Sequence, residues 1–326
     1  MKEKVLITQP WDPSIVTEFD TYVSWLEERG LEVIIDPKQI SLTEQDVIER
    51  LPGLYAHVCG SDALTAKALE YADKLKIISR IGVGYDTVDI PAATAKGIAV
   101  TTTPGAGAET VAEHAMALML TMTRKIFQCD RSVREGSWIR ISGPSIYRKT
   151  LGIIGLGTIG KQLAKIVSGF DMKIIAYDPF KDEKYAKEHN ITYVSLEELL
   201  KTSDYISLHM PLNKETKYMI REETLKMMKP SAQLINCARG GLIDEDALYH
   251  ALKDGVIAAA ASDVFEKEPV DMANPLFELD NFIMTPHNAG TSVEGKNKVV
   301  GAAIKNVLDI MDGKMPIGLK NPEVFK

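Results

Sequence analysis

The chain reads Gly155-Leu156-Gly157-Thr158-Ile159-Gly160 between an apolar run at residues 151–154 and a helical stretch at 159–170. Glycines at this spacing are weak evidence alone; their context decides. With a strand before and a helix after, Gly155 allows the tight turn, Gly157 lets a pyrophosphate approach the backbone, and Gly160 lets the helix pack close to the strand. The helix N-terminus then meets the phosphates with free N–H groups and a partial positive charge. Asp178 follows Gly160 by eighteen residues, at the end of the next strand pattern. A carboxylate there accepts hydrogen bonds from the adenosine ribose and repels a 2′-phosphate, and Pro179 and Phe180 offer no cation to offset it. The pattern therefore favours NAD over NADP.

The same βα alternation runs through most of the chain. Residues 5–8 read as a first strand, and Ser14 can cap a helix that runs to Gly30. Further strands are predicted at 31–35, 56–59, 76–79 and 98–101, with helices at 43–51 and 65–72. A second rhythm starts near Thr150, with strands at 151–154, 173–177, 191–194, 205–209, 233–238, 258–263 and 282–285. Such alternation predicts α/β architecture, parallel sheets with helices on both faces.

A chain of 326 residues is too long for one ordinary core and fits two domains. We place one at 1–102 with 290–326 and the other at 103–289. Residues 109–123 join them and are apolar nearly all round; a helix of that kind must be buried on every face. It is expected to cross between the domains and to pack on a partner subunit, the alternative being a core helix of one domain. Residues 293–311 read as one long helix that returns to the first domain and makes it discontinuous. The thirty-nine residues beyond His287 are too few for an added regulatory domain.

Apolar residues make up 45% and charged residues 25%, ordinary for a soluble globular protein. A net charge of −7 argues against nucleic acid or an anionic membrane as partner. A small anionic substrate stays compatible, because local groups set the field of a site. Cys59, Cys129 and Cys237 are odd in number and lack metal-ligand spacing, so reduced thiols, no metal site and a cytoplasmic location are expected. The first strand begins too early to leave room for an export signal. The longest apolar stretch, 115–122, is far short of a membrane span.

Three patches stand at the ends of predicted buried strands: Cys237-Ala238-Arg239-Gly240-Gly241, Asp263-Val264-Phe265-Glu266-Lys267-Glu268-Pro269 and Thr285-Pro286-His287-Asn288. Parallel sheets carry their ligands at the carboxyl ends of their strands. Arg239 offers a planar, permanent charge able to grip a carboxylate with two parallel bonds. Gly240 and Gly241 are expected to turn the chain away and leave room for a ligand. His287 can exchange a proton if a carboxylate fixes its tautomer and favours the imidazolium. Glu266 and Glu268 both stand in reach of that role, and spacing alone does not choose between them.

With Ile81-Gly82-Val83-Gly84-Tyr85-Asp86, Thr103-Pro104-Gly105 and Val111-Ala112-Glu113-His114 added, the chain resembles the D-isomer-specific 2-hydroxyacid dehydrogenases along essentially its whole length. The resemblance implies two doubly wound (Rossmann/flavodoxin-like) domains around a cleft, and usually a homodimer. It implies an Arg239–Glu268–His287 catalytic set, and substrate carboxylate held by the Val83 and Gly84 amides. Cofactor contacts are implied for Thr158, Ile159, Asp178, Pro211, Thr216, Cys237 and Asp263. The expected reaction is hydride transfer between NAD(H) and C2 of a small 2-hydroxy or 2-oxo acid.

Where phosphoglycerate-specific relatives tend to carry an Arg-Ser pair, this chain reads Cys59-Gly60-Ser61-Asp62. Losing a cation there tilts the reading toward hydroxypyruvate or glyoxylate, although Arg80 or the Arg-rich stretch 131–148 could replace it. A D-3-phosphoglycerate dehydrogenase without a regulatory domain is the runner-up. An NAD(H)-sensing corepressor is the alternative from another class, but no peptide-binding extension is evident. Formate dehydrogenases place Gln where Glu268 stands.

Overall fold

A computed structural model describes residues 2–8, 13–38 and 40–325. The chain forms two compact units, 1–107 with 291–326 and 108–290. The first contains β1 (Lys4–Ile7), β2 (Glu32–Ile35), β3 (Leu54–Cys59), β4 (Ile77–Arg80) and β5 (Ala99–Thr101). These form one parallel sheet in the order β2-β1-β3-β4-β5, the flavodoxin-like winding. The second contains β6 (Thr150–Ile154), β7 (Lys173–Tyr177), β8 (Thr192–Tyr193), β9 (Tyr205–Leu208), β10 (Gln233–Asn236), β11 (Ala259–Ser262) and β12 (Phe282–Met284). Its parallel order, β12-β11-β10-β9-β6-β7-β8, reverses direction at β6, as in dinucleotide-binding sheets.

Both sheets are covered on both faces, which explains the near-continuous apolar strand runs. In β6, Leu151 and Ile153 face one core and Ile154 the other. The helix Val293–Met311 buries Val300, Ala303, Ile304 and Val307 in the first unit's core. Full burial of each larger aliphatic side chain there is worth about 1.5–3 kcal/mol, so the carboxy-terminal helix is an integral layer and the first unit is discontinuous.

Three local expectations are corrected. Ser14 does not cap the first long helix: it lies in a 3₁₀ turn, Pro13–Ile15, and the helix Phe19–Glu28 begins after Glu18. The helix expected at 65–72 is only Ala66–Leu69, because Tyr71 and Ala72 donate three residues back and tighten the chain out of the α-helix. The apolar segment forms the helix Ala108–Thr123, which lies within the second unit. Ala112, Ala115, Met119 and Met122 pack with Leu163, Ala164 and Val167, while Glu109, Glu113 and Ala117 are exposed. Small residues on the inner face permit the close approach, and the two glutamates mark the wet stripe. It is a core helix of the second unit, which corrects the expected crossing between the domains and not the expected contact with a partner subunit.

Candidate active site

His287 follows β12 and Glu268 lies in the loop after β11. His287 Nδ1 and Glu268 Oε2 are 2.6 Å apart, and Glu268 Oε1 accepts the Phe265 N–H at 3.0 Å. With Nδ1 engaged, Nε2 is the ring atom left for a substrate, and the imidazole is 47% exposed, so a ligand can reach it. Burial pushes the Glu268 carboxyl up, but His287, the Phe265 N–H and the Arg239 charge outweigh it and hold it below the ordinary carboxylate value. Glu266, the competing candidate, instead accepts the Tyr218 hydroxyl at 2.8 Å.

Arg239 is aimed by the turn after β10. Asn236 Oδ1 accepts the Ala238 N–H at 3.0 Å, and its Nδ2 donates to the Arg239 carbonyl at 2.9 Å. The half-buried guanidinium donates through Nη1 to the Ala238 carbonyl at 2.7 Å. The expected role of the two following glycines changes. A Cβ on Gly240 would lie 1.9 Å from the Phe265 carbonyl carbon and one on Gly241 3.1 Å from Leu212 Cδ2. Protein therefore fills the space that was assigned to a ligand. Gly240 lets the Arg239 turn lie directly on the Phe265–Glu268 loop, which explains why Arg239 is felt at Glu268.

The glycine loop leaves β6 with the Gly155 N–H donating to the Tyr177 carbonyl at 2.8 Å. A Cβ on Gly160 would come within 2.2 Å of the Gly155 carbonyl oxygen, so helix and turn are in contact. A Cβ built on Gly157 would meet nothing within 4 Å, so the space beside it is open, and no side chain caps the helix Thr158–Val167 that starts there. Thr158 is exposed and Ile159 half-buried in its first turn. Asp178, after β7, accepts the Leu156 N–H and the Phe180 N–H, each at 2.8 Å. Each oxygen keeps a further lone pair for a hydroxyl donor.

The remaining expected contacts have structural partners of their own. Thr216 is buried and its hydroxyl donates to the Pro211 carbonyl at 2.7 Å, closing the loop 211–216. Cys237 is buried, and burial pushes its thiol up, so it presents a neutral wall. Asp263, 1% exposed, accepts the Asn288 N–H at 2.7 Å and the Ala289 N–H at 2.8 Å. His209, after β9, carries a ring that burial holds down to about 4, hence neutral. No sequence motif singles out Asn236 or His209, and His114 and Thr285 stand out only as members of the motifs at 111–114 and 285–288.

In the first unit, the loop after β4 is fixed by the Gly82 N–H donating to Thr103 Oγ1 at 3.0 Å and by Arg80 Nε donating to the Gly84 carbonyl at 3.1 Å. These bonds do not engage the N–H groups of Val83 and Gly84. Arg80 is 6% exposed, and Asp62 is fully buried, accepting the Thr8 hydroxyl at 2.6 Å.

Residues 116–289 match the family model for the D-isomer specific 2-hydroxyacid dehydrogenase, NAD binding domain. A glyoxylate reductase of Korarchaeum cryptofilum is 40% identical, covering 92% of this chain and 95% of that one. The chain belongs to the D-isomer-specific 2-hydroxyacid dehydrogenases. A D-3-phosphoglycerate dehydrogenase of Methanocaldococcus jannaschii is 41% identical over 98% of the chain, which spans only 59% of that relative. Among solved structures, the Aquifex aeolicus D-lactate dehydrogenase complexed with NAD and lactic acid superposes with a TM-score of 0.85 at 31% identity, covering 97% of this chain and 99% of that one. The dehydrogenase uses NAD and acts on CH–OH donors. Its own residues fit that cofactor: the open space at Gly157, the uncapped helix N-terminus and the spare acceptors of Asp178 suit a pyrophosphate and a ribose diol. No helix among the described residues is long and apolar enough to cross a membrane.

Proposed function

We propose that this dehydrogenase interconverts small, unphosphorylated 2-oxo acids and their 2-hydroxy acids, of D configuration wherever C2 is a stereocentre, with glyoxylate or hydroxypyruvate as the oxo substrate. The observation that carries the chemistry is the His287–Glu268 pair at 2.6 Å, with the Arg239 charge felt at the same carboxylate. In the direction of reduction, Arg239 grips the substrate carboxylate and polarises its carbonyl. When bound, NADH supplies the hydride that goes to C2. His287 Nε2 donates the proton to the developing alkoxide, and Glu268 stabilises the imidazolium before that transfer and steers the ring. Oxidation runs the same steps backwards, with His287 as the base.

The substrate reading is supported by the glyoxylate reductase relative. It is also supported by the charges around β3: no cation stands among residues 59–62 and Asp62 adds a buried acid, while the one neighbouring cation, Arg80, is 6% exposed and already engaged by the Gly84 carbonyl through Nε and by Cys59 Sγ at 3.9 Å through Nη1. A second copy of the chain is the proposed partner, because Phe127, Val133, Trp138 and Ile139 stand 55%, 54%, 84% and 63% exposed within one short segment. We place the protein in the cytoplasm.

The test is a panel of glyoxylate, hydroxypyruvate, pyruvate and 3-phosphohydroxypyruvate with NADH and NADPH, comparing kcat/KM. The highest values are expected for glyoxylate or hydroxypyruvate with NADH; a tenfold preference for the phosphorylated acid overturns the substrate assignment. His287→Ala should lower kcat by roughly 10²–10⁴, and wild-type turnover in that variant would refute the acid/base role.

A further inference from the structure

His287 sits in the left-handed backbone region at φ +52°, a costly conformation for a residue with a side chain. Such a conformation persists only where the surroundings over-determine it, and here they do. The His287 N–H donates to the Asp263 carbonyl at 2.8 Å. The next two N–H groups, of Asn288 and Ala289, end on the two oxygens of the buried Asp263 carboxylate. Thr285, two residues before the histidine, donates its hydroxyl to Asp263 Oδ1. Residues on both sides of His287 are thus pinned to one acid.

The network extends to the helix Ala108–Thr123. His114 Nε2 lies 3.0 Å from Thr285 Oγ1. Because the single hydroxyl proton of Thr285 goes to the carboxylate, His114 has to be the donor in that contact. A fixed order follows: His114 Nε2–H to Thr285 Oγ1, Thr285 Oγ1–H to Asp263, and Asp263 to the backbone that carries the catalytic imidazole. The hydroxyl is oriented from one side and spent on the other. Asp263 Oδ2 keeps a lone pair, so a cofactor contact by Asp263 is compatible with this arrangement.

We propose that Thr285 and His114 are positioning residues for the reaction, holding His287 through Asp263 so that its ring meets Glu268 and the substrate oxygen in one orientation. The proposal rests on His287 being the proton-transfer group. It predicts that loss of the Thr285 hydroxyl slows the proton step while leaving cofactor binding intact, since a misplacement of about 1 Å can cost on the order of 10²-fold in rate.

The experiment compares Thr285→Val, which keeps the shape and removes the hydroxyl, with Thr285→Ser, which keeps the hydroxyl. Measured are kcat, the solvent deuterium isotope effect on kcat, and NADH affinity by fluorescence. Thr285→Val should lower kcat by roughly tenfold or more and raise the isotope effect, with NADH affinity within about twofold. Thr285→Ser should recover most of the rate. His114→Leu should reproduce the loss more weakly, and His114→Gln, which can still donate, should recover part of it. A folded, NADH-binding Thr285→Val enzyme with wild-type kcat and isotope effect overturns the positioning role, provided that His287→Ala is inactive. Full turnover in His287→Ala would instead remove the acid/base reading, and the clamp with it.

Discussion

Replacing Gly240 by alanine should damage catalysis as well as stability. The Gly240 Cβ position lies 1.9 Å from the Phe265 carbonyl carbon, 2.1 Å from its oxygen and 2.3 Å from the Glu266 nitrogen. Carbon atoms rest at about 3.5–4.0 Å, so at least about 1.5 Å of separation has to be found. All three obstructing atoms are backbone, so no rotamer change relieves the clash. The Arg239 turn, the Phe265–Glu268 loop or both must move. Overpacking of this kind typically costs about 1–3 kcal/mol of stability. The same displacement parts the Arg239 guanidinium from Glu268 and His287, where about 1 Å can cost on the order of 10²-fold in rate, equivalent to about 2.7 kcal/mol of transition-state stabilisation. The assay is kcat/KM for the best 2-oxo acid, paired with urea unfolding to confirm a folded protein. Gly241→Ala is the control: its Cβ would meet only the tip of Leu212 at 3.1 Å, and that side chain can yield. Gly240→Ala enzyme that is folded and within threefold of wild-type kcat/KM would refute the argument that this contact brings the arginine to the acid.

Two further outcomes follow. If the exposed Phe127–Ile139 surface is a self-association face, the mass in solution should be twice that of the chain, and Trp138→Glu with Ile139→Lys should yield monomer; a monomeric wild-type protein would refute it. His209 is held down from 6.5 to about 4 by burial. Its unfolded form therefore binds the proton first as pH falls, so stability is fully present above about 6.5 and is lost progressively toward pH 4, by roughly 2–3 kcal/mol. Urea unfolding at pH 7.5 and 4.5 should show this loss, and His209→Asn should flatten it.

Much of this molecule was legible from periodicity because both sheets are parallel and covered on both faces. Strands then appear as apolar runs, and β7 and the helix Val293–Met311 match their expected bounds. The failures have local causes. Ser14 precedes a helical pattern, but a 3₁₀ turn and a non-helical stretch intervene before Phe19. The helix Ala108–Thr123 looked apolar all round because alanine, which needs no burial, dilutes the difference between its faces. The choice between Glu266 and Glu268 was closed to spacing because both follow the same strand. It turns on Tyr218, which is forty-eight residues from Glu266 and takes that side chain away from the site.

The glycine pair after Arg239 shows why site residues are easier to find than to explain. Glycine beside a candidate catalytic residue suggests room for a ligand, and at Gly157 the open space fits that reading. At Gly240 the same residue type is required because another stretch of backbone occupies the space. Sequence cannot separate the two cases, since what meets the missing side chain comes from twenty-five residues away, at Phe265. Asp263 poses the same difficulty in charged form: an acid at a strand end suggests a ligand contact, yet most of its hydrogen-bonding capacity is taken by Thr285, Asn288 and Ala289. The proposed chemistry thus rests on two residues whose main contacts are with protein, one through the absence of a side chain and one through a buried charge. Variants at either should lose rate with the Arg239, Glu268 and His287 side chains all still present.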